Sequence, residues 1–512
     1  MLGLRALHAV AGASSRPAAG CGGVATTRGA TSGACSGARP ALASARKSEA
    51  SHGPVPAARR HSHPNFNVSA AAAPSSGSAG AVVSAAGGSA AGAAVDRSGL
   101  VFSTGAAGSW DEAAVGSPVV RCYVGDDEQR WFMWYSGRRA DSPAAGGVDA
   151  IAPSSGSVGV AISRDGITWQ RGFDTIEGSR GADAASDVGS VMHPNKDWWT
   201  FDTCHLAPGD VQVLSNSSVS SGVGVYWMFY SGGDFEPVQL PQGLPAAGAA
   251  VAPPPEGVEG LRMRPGLAMS QDGRNWARIE ADHHTGALFD VGGEGEADQL
   301  CVRSPQVVNL GPRDMRMFYT SWDVSRRRFV VCMATSPDGF KWTKKGVVFD
   351  PAALSAAAAA ASSDEDPGAS SAFDALGPAS VSVVRDVDNR QLLMFYEAVG
   401  YDNRRSIGLA VSKDGGAVWR RYGAPVLEAA EGGEAAAAAA WDGGDVGHPC
   451  AVSMSAGRWR LYYTGRQTSG SGPWNGIGLA LSVEGGPSFE GVPVAYRRRA
   501  PTAKPAAEGS AQ

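Results

Sequence analysis

The 512-residue chain has no uninterrupted apolar run near the roughly 20 residues that cross a bilayer, so no membrane span is expected. It has no stripe of Lys and Arg. Its 44 basic residues face 49 acidic ones for a net charge of −5, which argues against a nucleic-acid partner. Its seven cysteines show no CxxC spacing, which excludes the usual zinc and dithiol motifs. Cys122, Cys204, Cys301, Cys332 and Cys450 are scattered and are expected to be reduced thiols packed as small hydrophobes; the other two lie near the N-terminus. There is no glycine-rich phosphate loop ahead of a helix and no GxSxG elbow. His283-His284 and the HPNKDWW stretch from His193 lack metal spacing and are expected to be surface loops. The residues themselves therefore call for no metal and no cofactor.

Acidic residues are also missing from the start of the chain. The first is Glu49, behind Arg5, Arg16, Arg28, Arg39, Arg46 and Lys47 in an Ala-, Ser- and Gly-rich stretch. That is the pattern of an organelle transit peptide, and Val68-Ser69-Ala70 ahead of Ala71 resembles a chloroplast processing site. Residues 1–97 are expected to be a transit peptide and disordered leader, directing the protein to the chloroplast, with the mitochondrion as the alternative. Residues 498–512 are expected to be a disordered tail.

What the chain has is repetition. SRDGITW from Ser163 returns as SQDGRNW from Ser270, SPDGFKW from Ser336 and SKDGGAVW from Ser412, with a worn copy, SVEGGPSF, from Ser482. Each closes a longer unit. The unit opens on an aromatic-Asp or similar pair: Trp110-Asp111, Phe201-Asp202, Ala297-Asp298, Phe373-Asp374 and Trp441-Asp442. A short apolar strand follows, then an aromatic strand (WFMWYS, YWMFYS, MRMFYT, LLMFYE, WRLYYT), then a small-residue strand such as IGLAVS. β-branched and aromatic runs between turn signals predict four strands per unit, and the Asp-Gly pair suits the tight hairpin between the last two. The motif acids lie 107, 66, 76 and 70 residues apart, so the unit is about 70 residues, the size of a propeller blade. The prediction is an all-β, five-bladed β-propeller of four-stranded antiparallel blades over residues 98–497, expected to be monomeric. LVFS from Leu100 occupies the place that PVLE from Pro425 holds in its own unit, so this N-terminal strand should close the ring in the last blade. The extra length sits in Ala-, Gly-, Pro- and Ser-rich inserts: Ala140–Ser157, Pro241–Gly257, Pro351–Ser371 and Ala429–Ala440.

Loops on a blade alternate between its two faces. The Asp-Gly hairpins fall on one face and are expected to be scaffold. The other face collects the start of each inner strand and the loops after each FYS. The aspartates Asp111, Asp202, Asp298, Asp374 and Asp442 should ring its axial mouth, as backbone caps or as acids that raise one another's pKa. Residues that break the symmetry are more informative. Glu397 stands where the other units have Ser136, Ser231, Thr320 and Thr464, Arg303 where two units have Gly116 and Gly447, and His448 where others have Ser. Arg138, Asp234, Trp322, Asp323, Tyr401, Asp402 and Arg466 should rim the same funnel. Carboxylates, arginines and flat rings together suit a carbohydrate ligand: acids move protons, charged donors fix hydroxyls, and rings take the apolar sugar face.

The succession WD…SPVV, WFMWYSG, GVAISRDGITW resembles the five-bladed glycosidase propellers of the arabinanase, levansucrase and invertase superfamily. The resemblance implies a glycoside hydrolase with Asp111 as general base, Asp202 or Asp298 as the carboxylate that tunes the acid, and Glu397 as proton donor. It also allows a cation in the axial channel near a histidine. The Asn-Asp-Pro and Glu-Cys-Pro signatures of invertases are absent, and Arg303-Ser304-Pro305 stands where arabinanases carry an acid. Two alternatives stay open: a non-catalytic propeller that binds carbohydrate or protein, and a glycoside phosphorylase using Arg138, Arg303 and Arg466 to hold phosphate.

Overall fold

The computed structural model describes residues 5–6, 96–124, 129–142, 155–172, 188–214, 224–239, 241, 257–354, 373–430, 440–468 and 474–500. The expected leader, except for its last two residues and 5–6, and most of each insert lie outside the described residues, as does the tail from residue 501.

Among the described residues five antiparallel sheets of four or more strands form the blades, each beginning with an inner strand and moving outward. Blade 1 runs Ala114–Val124, Gln129–Arg138, Ser157–Ser163, with an outer edge made of two pieces, Gln170–Arg171 and Ser190–Met192. Blade 2 is His205–Leu214, Val225–Gly233, Met263–Ser270 and Ala277–Ile279. Blade 3 is Arg303–Gly311, Asp314–Asp323, Arg328–Ser336 and Thr343–Phe349. Blade 4 is Gly377–Asp386, Gln391–Val399, Arg405–Ser412 and Arg420–Arg421. Blade 5 has Asp445–Ser453, Trp459–Arg466 and Gly476–Ser482. Its outer edge comes from both ends of the chain, Leu100–Ser103 pairing with Gly476–Gly478 and Tyr496–Arg498 with Ala480–Ser482. The inner strands touch in the order 1–2–3–4–5–1, which closes the wheel.

The N-terminal strand therefore closes the last blade. Phe102 pairs with Ile477 just as Leu427 pairs with Ile407 one blade earlier. The Asp96 carbonyl accepts from the Trp441 N–H at 3.1 Å. Arg498, placed by the sequence at the head of a tail, instead completes the outer strand.

Aromatic strands bury on both faces because each blade is sandwiched between two others. An apolar core fills each gap, and a further cluster surrounds Trp322 and Phe329. Trp134, Tyr226 and Met228 lie between blades 1 and 2, Phe229 and Tyr319 between 2 and 3, and Phe318 and Trp419 between 3 and 4. Phe395 and Trp459 fill the gap between 4 and 5, and Trp131 and Tyr462 that between 5 and 1. Each such ring, fully buried, contributes on the order of 2 kcal/mol of transfer free energy.

The Asp-Gly hairpins are clasps. In blade 2, Asp272 Oδ1 accepts from the N–H groups of Arg274 and Asn275 at 2.9 and 2.8 Å, and Ser270 Oγ accepts from Gly273 N–H at 2.9 Å. Gly273 has φ +74°, a conformation its missing Cβ permits. The Gly273 carbonyl then accepts from Trp134 Nε1 of blade 1 at 2.8 Å. Tyr462 of blade 5 reaches Gly166 of blade 1 in the same way at 2.7 Å. In the fifth unit a small extra hairpin, Ser488–Phe489 with Val492–Pro493, intervenes before the outer strand.

Candidate functional site

The five aspartates that open the inner strands share one environment. Each accepts a hydrogen bond from the tyrosine of its own aromatic strand: Tyr135, Tyr230, Tyr319, Tyr396 and Tyr463 reach Asp111, Asp202, Asp298, Asp374 and Asp442 at 3.0, 3.0, 2.9, 2.9 and 2.8 Å. Each also binds a cation from the outer edge of its blade: Arg171, Arg278, Lys344, Arg421 and Arg498, at 2.8, 2.7, 2.7, 2.6 and 2.8 Å. All five carboxylates are buried. Burial, and then the adjoining carboxylate, drive the Tyr135, Tyr230, Tyr396 and Tyr463 hydroxyls well above their ordinary pKa, so they stay donors. Because the cation comes from the outer edge, each aspartate lies across its blade and not at the axial mouth where the sequence places it. The opening aromatic covers the same strands: a Cβ on Gly137 or Gly159 would fall within 2.6 Å of Trp110. We call this repeated unit the blade clamp.

The symmetry-breaking residues do meet near the axis, between blades 4 and 5. Glu397 is fully buried. It pairs with Arg405, accepts from Ser380 Oγ at 2.7 Å and from the His448 N–H at 3.1 Å, and lies 3.8 Å from His448 Nδ1. Burial alone would raise its pKa; Arg405, His448, Ser380 and Arg303 together outweigh that and hold it well below the usual carboxylate range. The group is an anion at any ordinary pH. Beside it, Arg466 Nε donates to Asp445 at 2.8 Å, the Arg405 N–H donates to the same Asp445 at 2.9 Å, and Arg466 lies over the Trp474 ring. Burial lowers the His448 pKa to about 4, so its ring is neutral near pH 7.

On the axis itself is a cavity of about 10 Å³, lined by residues of blades 1, 2, 3 and 5 that include Ser117, Ser231, Arg303, Ser304 and His448. That is room for roughly one water-sized particle, and a sugar ring does not enter. All five inner strands lose their register here. Ser117, Ser304 and His448, at matching positions of blades 1, 3 and 5 and each followed by proline, have φ of 47°, 50° and 43°. An axial cation does not fit. Arg303 enters the cavity as a charge of the wrong sign, and no group of three or more metal-ligating side chains is present among the described residues.

The larger opening is off the axis, between blades 1 and 2. It has a volume of about 350 Å³ and walls that include Arg138, Arg139, Asp141, Ser157, His193 and Thr203, with the Trp110 edge below. His193 is steadied by Ser157 and Ser190 hydroxyls at 3.3 and 3.1 Å. The loop that carries His193 continues to Trp198, 89% exposed, and Trp199.

The other rim residues scatter. Trp322 is 0% exposed and sits edge-on to Phe329 in the core, so it offers no face to a sugar. Asp234 is tied to Arg264 at 2.7 Å, with burial pushing its pKa up. Asp323 caps a turn through Ser325 and Arg326. Asp402 accepts from the Arg404 N–H at the tip of an exposed loop, and Tyr401 projects into solvent there. Arg138 lines a different cavity from Arg303, so the arginines proposed for phosphate do not converge on one hollow. The clamp cations were missed, yet they leave a signal. Each lies two residues after an aromatic, in Trp169-x-Arg171, Trp276-x-Arg278, Trp342-x-Lys344, Trp419-x-Arg421 and Tyr496-x-Arg498.

No family model matches this sequence, and no curated protein matches it. Among solved structures, the chain is similar to a glycosyl hydrolase from Bacteroides ovatus at 14% identity, covering 74% of this chain and 87% of that one, with a TM-score of 0.43. It is similar to a thermostable family-43 glycoside hydrolase at 14% identity, covering 77% and 96%, with a TM-score of 0.45. It is also similar to a structure from the GH130 family of mannoside phosphorylases, described as containing glycoside hydrolases that target β-1,2 mannosidic linkages in Candida mannan. That match has 14% identity, covers 74% and 87%, and has a TM-score of 0.43.

Proposed function

We propose that this glycoside-hydrolase-like propeller binds a carbohydrate in the cleft between blades 1 and 2 and does not cleave it at the axis. One observation carries the reading: every carboxylate put forward for acid–base work holds an intramolecular cation. Asp111, Asp202 and Asp298 are clamp members, and Glu397 is ionised against Arg405. A general acid must carry its proton at working pH, and Glu397, whose pKa is depressed, does not. The cleft volume of about 350 Å³ falls in the range of about 300–1,000 Å³ typical of small-ligand pockets. Its arginines, His193 and hydroxyls supply donors, and Trp198 on the same loop supplies a flat face.

The test is a glycan array followed by calorimetry on the full chain. Arg138→Ala and Trp198→Ala should each weaken binding about tenfold or more, the cost of a charged hydrogen bond or a stacked ring. Turnover of aryl glycosides that disappears in Glu397→Gln would overturn the reading. So would sugar affinity that neither cleft variant changes. For location, we propose chloroplast import through the Arg-rich leader; a reporter fused to residues 1–97 that stays outside plastids would refute it.

A further inference from the structure

We propose that the axial cavity holds a single small anion of halide size, bound by Arg303 and enclosed by Ser117, Ser304 and His448. The argument begins with charge. Arg303 is 2% exposed, and its Nη1 has no hydrogen-bond partner among the described residues. It forms no ion pair among the described residues, although Glu397 is near enough to favour its charged form. Glu397 is committed to Arg405, Ser380 and the His448 N–H, and Asp445 to Arg466 and the Arg405 N–H. Three guanidinium groups thus stand against two carboxylates, and the unmatched one is Arg303. Burial lowers its pKa only to about 10, so it keeps its proton at neutral pH. A buried charge without a counter-charge is among the most costly arrangements a fold can hold, and a counter-ion relieves it.

Size and lining narrow the ligand. Among the described residues no carboxylate lines the cavity; its polar wall is Arg303, serine hydroxyls and imidazoles. About 10 Å³ is a close fit for a single monatomic ion and leaves no room for phosphate, sulfate or a carboxylic acid. The walls are also held against backbone preference. Of the nine non-glycine residues with positive φ among the described residues, three, Ser117, Ser304 and His448, line this one hollow. Conformations of that kind persist where surrounding structure over-determines them, and they cluster at ligand sites. The inference concerns a different hollow from the carbohydrate cleft, and neither depends on the other.

The experiment measures thermal unfolding of the full chain in sodium chloride, sodium bromide and sodium gluconate at matched ionic strength, for the wild type and for Arg303→Met. Chloride and bromide should raise the wild-type midpoint relative to gluconate, by about 2 °C for each tenfold rise above the dissociation constant. In Arg303→Met the halide-specific increment should vanish. Crystals grown with bromide give a readout that needs no variant: an anomalous peak within contact of Arg303 Nη1 is expected. Equal wild-type midpoints in halide and gluconate, an undiminished halide effect in Arg303→Met, or a water in place of the anomalous peak would each overturn the proposal.

Discussion

The blade clamps and the cluster between blades 4 and 5 use the same groups to different ends. Both bury a carboxylate against a basic side chain. In the clamps, the aspartate, the tyrosine and the cation recur in every blade and tie the second strand to the outer edge. In the cluster, Glu397, Arg405, His448, Asp445 and Arg466 occur once and tie blade 4 to blade 5 beside the axis. A group found five times in one setting does one structural job five times. A group found once has been placed there for a local reason, and that reason need not be catalysis. Here the singular acid is fully buried with three protein partners, as enclosed as the repeated ones.

Breaking one clamp should have the largest effect. Asp374→Ala removes the acceptor that Tyr396 and Arg421 share. Removing one partner of a buried ion pair costs about 3–5 kcal/mol, and the part-exposed Arg421 sets this case toward the lower end. Urea denaturation measures it. If the clamps are equivalent, Asp442→Ala gives a loss within about 1 kcal/mol of the same value. A loss below about 1 kcal/mol in both would show that the clamp is not what ties the outer strands.

The cluster should differ from the clamps in its response to acid. The folded-state pKa of Glu397 is depressed, so its contribution is present above the unfolded value near 4.5 and is lost as pH falls below it. For His448 the unfolded ring takes up a proton near pH 6.5 while the folded ring waits until about 4. Across that window the unfolded state binds more protons, and stability falls with falling pH by up to about 1.4 kcal/mol per unit. His448→Asn should flatten the slope between pH 6.5 and 4, and Glu397→Gln should flatten it only below about 4.5. An unchanged upper window in His448→Asn would mean the imidazole is not buried as described.

Packing at the cluster gives a smaller effect. A Cβ at Gly447 would stand 2.7 Å from Glu397 Cδ and 3.0 Å from the Trp474 ring. Gly447→Ala should cost about 1–3 kcal/mol, as overpacking does. The loss should shrink in Glu397→Ala, where the space is released, and a double-mutant cycle measures the coupling. Additive losses would place the strain elsewhere.

What the sequence made legible follows from these two regions. Fivefold recurrence is a pattern along the chain, so the blades, the Asp-Gly clasps and the closing strand could be read from it. The convergence of Glu397, Arg303 and His448 was legible too, because each broke a position filled alike elsewhere. What could not be read was direction. Whether Asp111 faces the axis or the outer edge depends on Arg171, some 60 residues on, and the aromatic-x-basic repeat was the only hint of it. Trp322 is preceded by the same FYT pattern as the exposed loops, yet it turns into a core built from Leu300, Cys301 and Phe329. Pocket size was likewise invisible, since it depends on how closely five inner strands approach one another.

The smallest expected effect separates a clasp from a clamp. Asp272 is part-exposed, and its carboxylate accepts only local donors, from Ser270, Arg274 and Asn275. Its folded pKa is lowered, with burial opposing and the Asn275 and Arg274 N–H groups prevailing. Asp272→Ala should cost about 1 kcal/mol, the net worth of such hydrogen bonds where water can replace the lost partner. The link to blade 1 runs through the Gly273 carbonyl and survives the change, so cooperativity should be kept and the denaturant slope unaltered. A loss as large as that of Asp374→Ala would mean that the hairpin face, and not the clamp, carries the cohesion between neighbouring blades. The symmetric residues would then divide into load-carrying and decorative sets on opposite faces from those assigned.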